Sequence, residues 1–246
     1  MLHVFRLIFL GVHFLIACCI NFVIVFLRPF NPDNTRLCAR VYSLPAIPIL
    51  GLQTEFKVQA LKECTQPCVL VANHQSNFDL FIFGSVMPRR TVTIGKESLK
   101  WVPFFGQIYW LAGNVLIDRG NAEKAKLAMR KATSTLAHAN TSIWVFVEGT
   151  RNLGKGLLPF KKGAFQMAIT AGVPIVPVCI STYRRTMRLN RLHAGKVIIK
   201  DLPAIPTTGM TMEDVPALMA QCRNAMLACI ATLDQDVALH LHIPDQ

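Results

Sequence analysis

The chain has 246 residues, of which 52% are hydrophobic and 16% charged, with a formal net charge of +12 and a pI near 9.6. That length fits one domain of ordinary to large size and leaves two full domains cramped. The positive balance favours an anionic partner, but there is no long Lys/Arg block with interleaved aromatics and no nucleic-acid module signature, so nucleic acid is set aside in favour of anionic lipid.

The first element is an uncharged run of 21 residues, Leu7 to Leu27, about 30 Å long as a helix and matched to the hydrocarbon of a bilayer. It is too long for the core of a cleaved signal peptide, and Ala17-Cys18-Cys19-Ile20 supplies no small-residue processing site. His13 and Asn21 interrupt the run, so a spanning helix and one tilted at the interface both fit it. Val41 to Leu52 is a second apolar stretch, too short to span and carrying Pro45 and Pro48. Residues 1–52 are therefore expected to form a membrane anchor, with a re-entrant or surface-lying hairpin. Arg28, Arg36 and Arg40 follow the first run and only Arg6 precedes it. By the positive-inside rule the remaining body, residues 53–246, faces the cytoplasmic side of the cell inner membrane.

Beyond the anchor, short β-rich runs alternate with helical stretches. Strands are predicted at Val69–Ala72, Thr91–Ile94, Val115–Ile117, Ile143–Val147, Ile175–Ile180 and Lys196–Ile199. Helices are predicted at Phe78–Met87, ended by Pro88, and at Pro103–Leu111, Asn121–His138, Phe160–Thr170 and about Glu213–His240. The alternation predicts an α/β fold with a mixed, largely parallel sheet flanked by helices and preceded by the membrane-associated helical segment. Eight cysteines form no Cys-x-x-Cys pair, and Cys64/Cys68 have no second pair at metal spacing. They read as reduced and mostly buried, with no metal site and no cofactor.

Three polar segments fall just after strands, where ligands gather in such folds. Asn73-His74-Gln75-Ser76-Asn77-Phe78-Asp79 sets a histidine five positions ahead of an aspartate. An imidazole held by a carboxylate can take a proton from an alcohol. Five residues apart on one helix the two would point about 140° apart. They meet only if His74 lies in the loop and Asp79 in the first turn of the following helix. Ser76-x-x-Asp79 also reads as a variant capping box, so capping alone explains the aspartate equally well. Glu148-Gly149-Thr150-Arg151 brings a guanidinium and an approachable backbone suited to a phosphate. Glu148 would repel that phosphate unless it contacts a substrate hydroxyl or holds the arginine. Arg119 follows the short run Val115–Ile117, and Lys161-Lys162-Gly163 marks a helix start that favours an anion or simply solvent.

Asn73-His74-x4-Asp79, Gly113 to Arg119, Glu148-Gly149-Thr150-Arg151 and Val173-Pro174-Ile175-Val176-Pro177, in this order and at these separations, resemble the four blocks of the glycerolipid acyltransferase family. The match runs from about Leu70 to Ser181 and takes in Gly95-Lys96-Glu97-Ser98-Leu99 and Trp101-Val102-Pro103-Phe104-Phe105-Gly106. Two positions depart from the family's usual pattern: Val147 stands where proline is usual and Asn152 where serine is common.

The resemblance implies acyl transfer from acyl-coenzyme A or acyl carrier protein to the sn-2 hydroxyl of lysophosphatidate in phospholipid synthesis. Another lysophospholipid or glycerol 3-phosphate is the alternative acceptor, and a non-catalytic anionic-lipid-binding protein the alternative class. It implies His74 as general base and Asp79 as its orienting partner. Glu148, Gly149, Thr150 and Arg151 would hold the phosphate-glycerol end, with Arg119 and Lys96 assisting. No acyl-enzyme is needed, in keeping with the absence of a Gly-x-Ser-x-Gly elbow.

Overall fold

The computed structural model describes residues 1–63, 67–118, 120–138 and 140–241; Cys64 and Arg119 lie outside them. Two helices come first, α1 (Leu2–Leu27) and α2 (Asn34–Leu50), packed against each other. The polar residues that interrupt the apolar run of α1 point at α2: His13 Nε2 lies 2.9 Å from the Tyr42 carbonyl, and Asn21 donates to the Cys38 carbonyl. Arg6 is buried and donates to the carbonyls of Leu189 and Leu192. Just beyond the other end of α1, the Phe30 amide donates to the Leu111 carbonyl at 2.7 Å. Both ends of α1 thus touch the body, so the helix lies along it rather than projecting away. Its outer face exposes Phe5, Ile8, Phe9, Val12, Leu15, Ile16, Val23 and Phe26. The second apolar stretch is the end of α2, which runs through Pro45 and Pro48 to stop at Gly51. Gly51 takes a left-handed φ of 68°, and a Cβ there would stand 2.2 Å from the Arg6 guanidinium. Only glycine lets the chain turn into the sheet beneath Arg6.

Seven strands follow: β1 (Leu52–Lys57), β2 (Val69–Ala72), β3 (Thr91–Lys96), β4 (Val115–Ile117), β5 (Ser142–Phe146), β6 (Ile175–Ile180) and β7 (Gly195–Asp201). Their order is β1-β7-β6-β2-β5-β3-β4; all pairs are parallel except β6 with β7. Interleaved are α3 (Ala60–Glu63), α4 (Asp79–Phe83), α5 (Phe105–Leu111), α6 (Ala122–His138), α7 (Gly163–Ala171) and α8 (Val215–Leu241). Strand alternation divides the core in two. Leu70, Ala72, Trp144, Val176 and Val178 face α1, α2, α4 and α5, while Val69, Val71, Ile143 and Ile175 face α6, α7 and α8. A strand covered on both sides reads as an unbroken apolar run, and Val69–Ala72 is buried at all four positions.

The fold is the expected mixed, largely parallel sheet flanked by helices. Strand β1 was not expected, because Gln53-Thr54-Glu55-Phe56-Lys57 is polar. It is an edge strand whose charges pair outward, Glu55 with Lys57 at 3.2 Å and with Lys196 at 2.9 Å. The helix predicted at Phe78–Met87 ends at Phe83, because the chain must pass close under α2: a Cβ on Gly84 would lie 2.4 Å from the Ala39 carbonyl oxygen. The predicted Pro103 helix start gives way to a 3₁₀ turn at Glu97–Trp101 and a helix beginning at Phe105.

Candidate active site

Strands β6, β2, β5 and β3 lie side by side and parallel, so their carboxyl ends deliver Tyr183, His74, Arg151 and Lys96 to one edge of the sheet. The loop after β2 is clipped to both neighbours. On the β6 side, the Asn73 amide side chain exchanges two hydrogen bonds with Ile180, and Gln75 spans from the Ser181 carbonyl to the Tyr183 amide. On the β5 side, the His74 amide donates to Glu148 Oε1 at 2.7 Å and the His74 carbonyl accepts from the Asn152 amide at 2.7 Å. His74 therefore has little backbone freedom.

Its ring is fixed as firmly. Nδ1 lies 2.6 Å from Asp79 Oδ2, and one face stacks on Phe146 with centroids 4.0 Å apart and planes 12° from parallel. Asp79 is the first residue of α4 and fully buried. Oδ2 also accepts the Gln75 and Ser76 amides at 2.6 and 3.1 Å, while Oδ1 accepts the Tyr183 hydroxyl, itself 2.9 Å from Ser76 Oγ. A carboxylate ringed by donors accepts from Nδ1–H, which fixes the tautomer with its lone pair on Nε2. Nε2 has no protein partner among the described residues. Capping and pairing, two readings of the same aspartate, coincide: the carboxylate that satisfies the amides before α4 also holds the imidazole. Burial, then the Asp79 carboxylate, pushes the Tyr183 phenol well above its ordinary range, so it remains a donor.

Glu148 lies elsewhere than beside a phosphate. It is buried within its own loop, where Oε1 takes the His74 amide and Oε2 the Leu158 amide, with Asn152 Nδ2 within 3.2 Å of both oxygens. It does not line the cavity. Burial raises its carboxyl above the usual carboxylate range, against the pull of the His74 and Leu158 amides. Gly149, Thr150 and Arg151 do reach the mouth of the cavity, together with Lys96 and Asn77. Gly149 has φ 71°, and the Lys161 stem passes so close that a Cβ would lie 3.0 Å from its Cγ. The Arg151 guanidinium is exposed and donates to Asn77 Oδ1.

From His74 a cavity of about 910 Å³ runs beneath α1 and α2, at the upper end for a small-molecule site. Phe14 of α1, Ala39 and Tyr42 of α2, Leu80 and Phe81 of α4, and Phe105 and Ile108 of α5 wall it. The arrangement joins a carboxylate-held imidazole, two cations beside it and an apolar chamber behind it. Sequence reasoning missed Tyr183. Its signal was slight: a tyrosine three residues past the end of the proline-bounded strand.

Those features suit an amphiphilic ligand with an anionic head. A family model for acyltransferases matches residues 53–181, and the chain belongs to that acyltransferase family. It is 42% identical to a 1-acyl-sn-glycerol-3-phosphate acyltransferase of Escherichia coli (strain K12), over 97% of both chains. It is 37% identical to the 1-acyl-sn-glycerol-3-phosphate acyltransferase alpha of Homo sapiens, over 85% of this chain and 74% of that one. The fold superposes on the crystal structure of the 1-acyl-sn-glycerophosphate acyltransferase PlsC from Thermotoga maritima with a TM-score of 0.70, all of both chains covered and 21% identity.

Proposed function

We propose that the protein transfers a fatty acyl group to the sn-2 hydroxyl of 1-acylglycerol-3-phosphate at the membrane surface, giving phosphatidate. The observation that carries this reading is the His74–Asp79 pair at the mouth of an apolar cavity beside Arg151 and Lys96. His74 Nε2 removes the hydroxyl proton as the oxygen attacks the thioester carbonyl of acyl-coenzyme A or acyl carrier protein. The carbon–sulfur bond then breaks, and the imidazolium returns its proton to the departing thiolate. Asp79 stabilises the cation in between, and Tyr183 and the two loop amides hold Asp79. Arg151 and Lys96 take the acceptor phosphate, with Thr150 and Gly149 beside them. Glu148 acts at one remove, by holding the backbone of His74.

Helix α1 fits a monotopic role. Its outer face is apolar, its inner face is occupied by the body, and its flanking residues reach that body at both ends. It lies in one leaflet on the side where Arg28, Arg36 and Arg40 meet anionic headgroups. The test is acyl transfer from labelled acyl-coenzyme A and from acyl carrier protein to lysophosphatidate, glycerol 3-phosphate and other lysolipids. His74→Ala and Asp79→Ala should each lower the rate by about 100- to 10,000-fold while the protein stays in the membrane fraction. Activity near wild type in either variant would sink the assignment. Preference for glycerol 3-phosphate would move the acceptor.

A further inference from the structure

Trp101, Val102, Pro103 and Phe104 are four consecutive exposed residues, with the Trp101 and Phe104 side chains 77% and 63% open. An exposed run of this kind is a liability in water unless something covers it. The segment is nonetheless built, not loose. The Val102 amide donates to the Leu99 carbonyl, the Phe105 amide to the Pro103 carbonyl and the Gly106 amide to the Val102 carbonyl, at 2.7–3.0 Å. Phe104 is held at φ 62°, a left-handed conformation that costs a non-glycine residue energy and marks a constrained site.

Phe30, just past α1, has the same property: φ 58° and an exposed ring. That ring meets Trp110, also exposed, edge to face with centroids 5.0 Å apart. Phe30 thus carries the exposed apolar end of α1, Phe26 and Leu27, to Trp110, and Phe14 of α1 stacks on Phe105, the neighbour of Phe104, at 6.0 Å, so the segment lies beside α1. Lys100 stands 5.1 Å over the Trp101 ring and is paired with Glu97 at 2.5 Å, while Asp118 shares a shallow pocket with Trp101, Lys96 and Lys100. Indole rings with adjacent lysines are the composition favoured at the headgroup level of a bilayer.

We propose that Trp101–Phe104, with Phe30 and Trp110, form a second foothold in the phospholipid bilayer, inserted at the boundary of headgroups and acyl chains beside α1. Leu99, Val102 and Phe105 on the inner side of the same segment line the cavity that holds His74. The segment is therefore a lip between lipid and active site, and a lysolipid enters past it without crossing water. This rests on the membrane reading of α1 and not on the reaction.

The test uses the full chain in phosphatidylglycerol-containing vesicles doped with phosphatidylcholine brominated at shallow or deep acyl positions. Of its three tryptophans, Trp144 is buried in the sheet and serves as an unquenched reference. Shallow bromines should quench more than deep ones, and Trp101→Phe and Trp110→Phe should each remove about half of the quenchable emission. A tryptophan placed on α1 by Phe9→Trp, in the Trp101→Phe/Trp110→Phe background, reports that helix separately. In the double variant Trp101→Ser/Phe104→Ser the apparent KM for vesicle-borne lysophosphatidate should rise about tenfold. Turnover of a short-chain, micelle-free acceptor should be retained.

Quenching unchanged by Trp101→Phe, while the α1 probe is quenched, overturns the lip. If neither probe is quenched, the membrane reading of α1 fails as well. A blue shift of Trp101 emission produced by acyl carrier protein alone, or a dimer abolished by the double variant, would give the patch to a protein partner and overturn the proposal.

Discussion

Tyr183→Phe removes one oxygen, and the effect should fall on turnover. Among the described residues the Tyr183 hydroxyl is the only donor on Asp79 Oδ1, whereas Oδ2 has the imidazole and two amides. Without it a fully buried carboxylate oxygen is left unsatisfied and the carboxylate is free to rotate away from Nδ1. A hydrogen bond to a charged group contributes about 1.5–3 kcal/mol. Expressed wholly in the transition state, where the imidazole is cationic, this corresponds to a fall in kcat of about 10- to 150-fold. The acceptor KM should stay within about twofold, because nothing that touches the acceptor has changed. Thiol release from acyl-coenzyme A, followed across a lysophosphatidate titration up to saturation, measures both quantities. A displaced pH–rate profile should accompany the loss, since the carboxylate that faces the imidazole has lost one of its donors; simple loss of folded enzyme would scale the rate equally at every pH. Ser76→Ala, which keeps the Tyr183–Asp79 contact, should cost far less. A kcat for Tyr183→Phe near wild type, or a rise confined to KM, would refute the positioning role.

Arg151→Ala should chiefly raise the KM for lysophosphatidate, because it removes binding at a phosphate remote from the reacting atoms; a weakened donor with an unchanged acceptor KM would mean the two ends of the cavity are reversed. Glu148→Gln sets an amide N–H against either the His74 or the Leu158 amide and should lose about 1–3 kcal/mol of stability, read as a drop in Tm by scanning calorimetry in detergent. It should also lower kcat without changing the acceptor KM. Tyr183 carries a raised phenol pKa. Its contribution is complete below the unfolded value of about 10 and is lost as pH rises toward the folded value. Melts of the wild type should therefore weaken above about pH 10, and those of Tyr183→Phe should do so less.

Much of the fold could be read because the central strands are short apolar runs between helices: Val69–Ala72 and Ile175–Ile180 have no other reasonable fate. Strand β1 could not, since an edge strand buries little and its sequence follows its solvent and charge partners. The geometry of His74 and Asp79 was legible through a local constraint, the impossibility of their meeting on one helix. The contacts of Glu148 were not legible, for an opposite reason. It neighbours Arg151 in sequence, but successive residues leaving a strand point to opposite sides, and only the folded loop shows that its carboxylate turns inward to the His74 amide. Tyr183 lies 104 residues from Asp79, a separation at which no local pattern speaks. Arg119 falls outside the described residues and keeps only its role by resemblance.

The anchor helices are also a wall of the cavity, since Phe14, Thr35, Cys38, Ala39 and Tyr42 line it. This bears on how the molecule comes into being. Chains emerge from the ribosome N-terminus first at 5–20 residues per second, so α1 and α2 precede the last strand and α8 by about 10–40 s. During that interval their inner faces have no sheet to cover, and the bilayer is the apolar surface at hand. The sheet then condenses against a wall already lodged in lipid. A chain begun at Leu52 would lack this template and would leave only α4 and α5 over the face that Leu70, Ala72, Val176 and Val178 share. Its natural product is an aggregate, not a soluble catalytic domain.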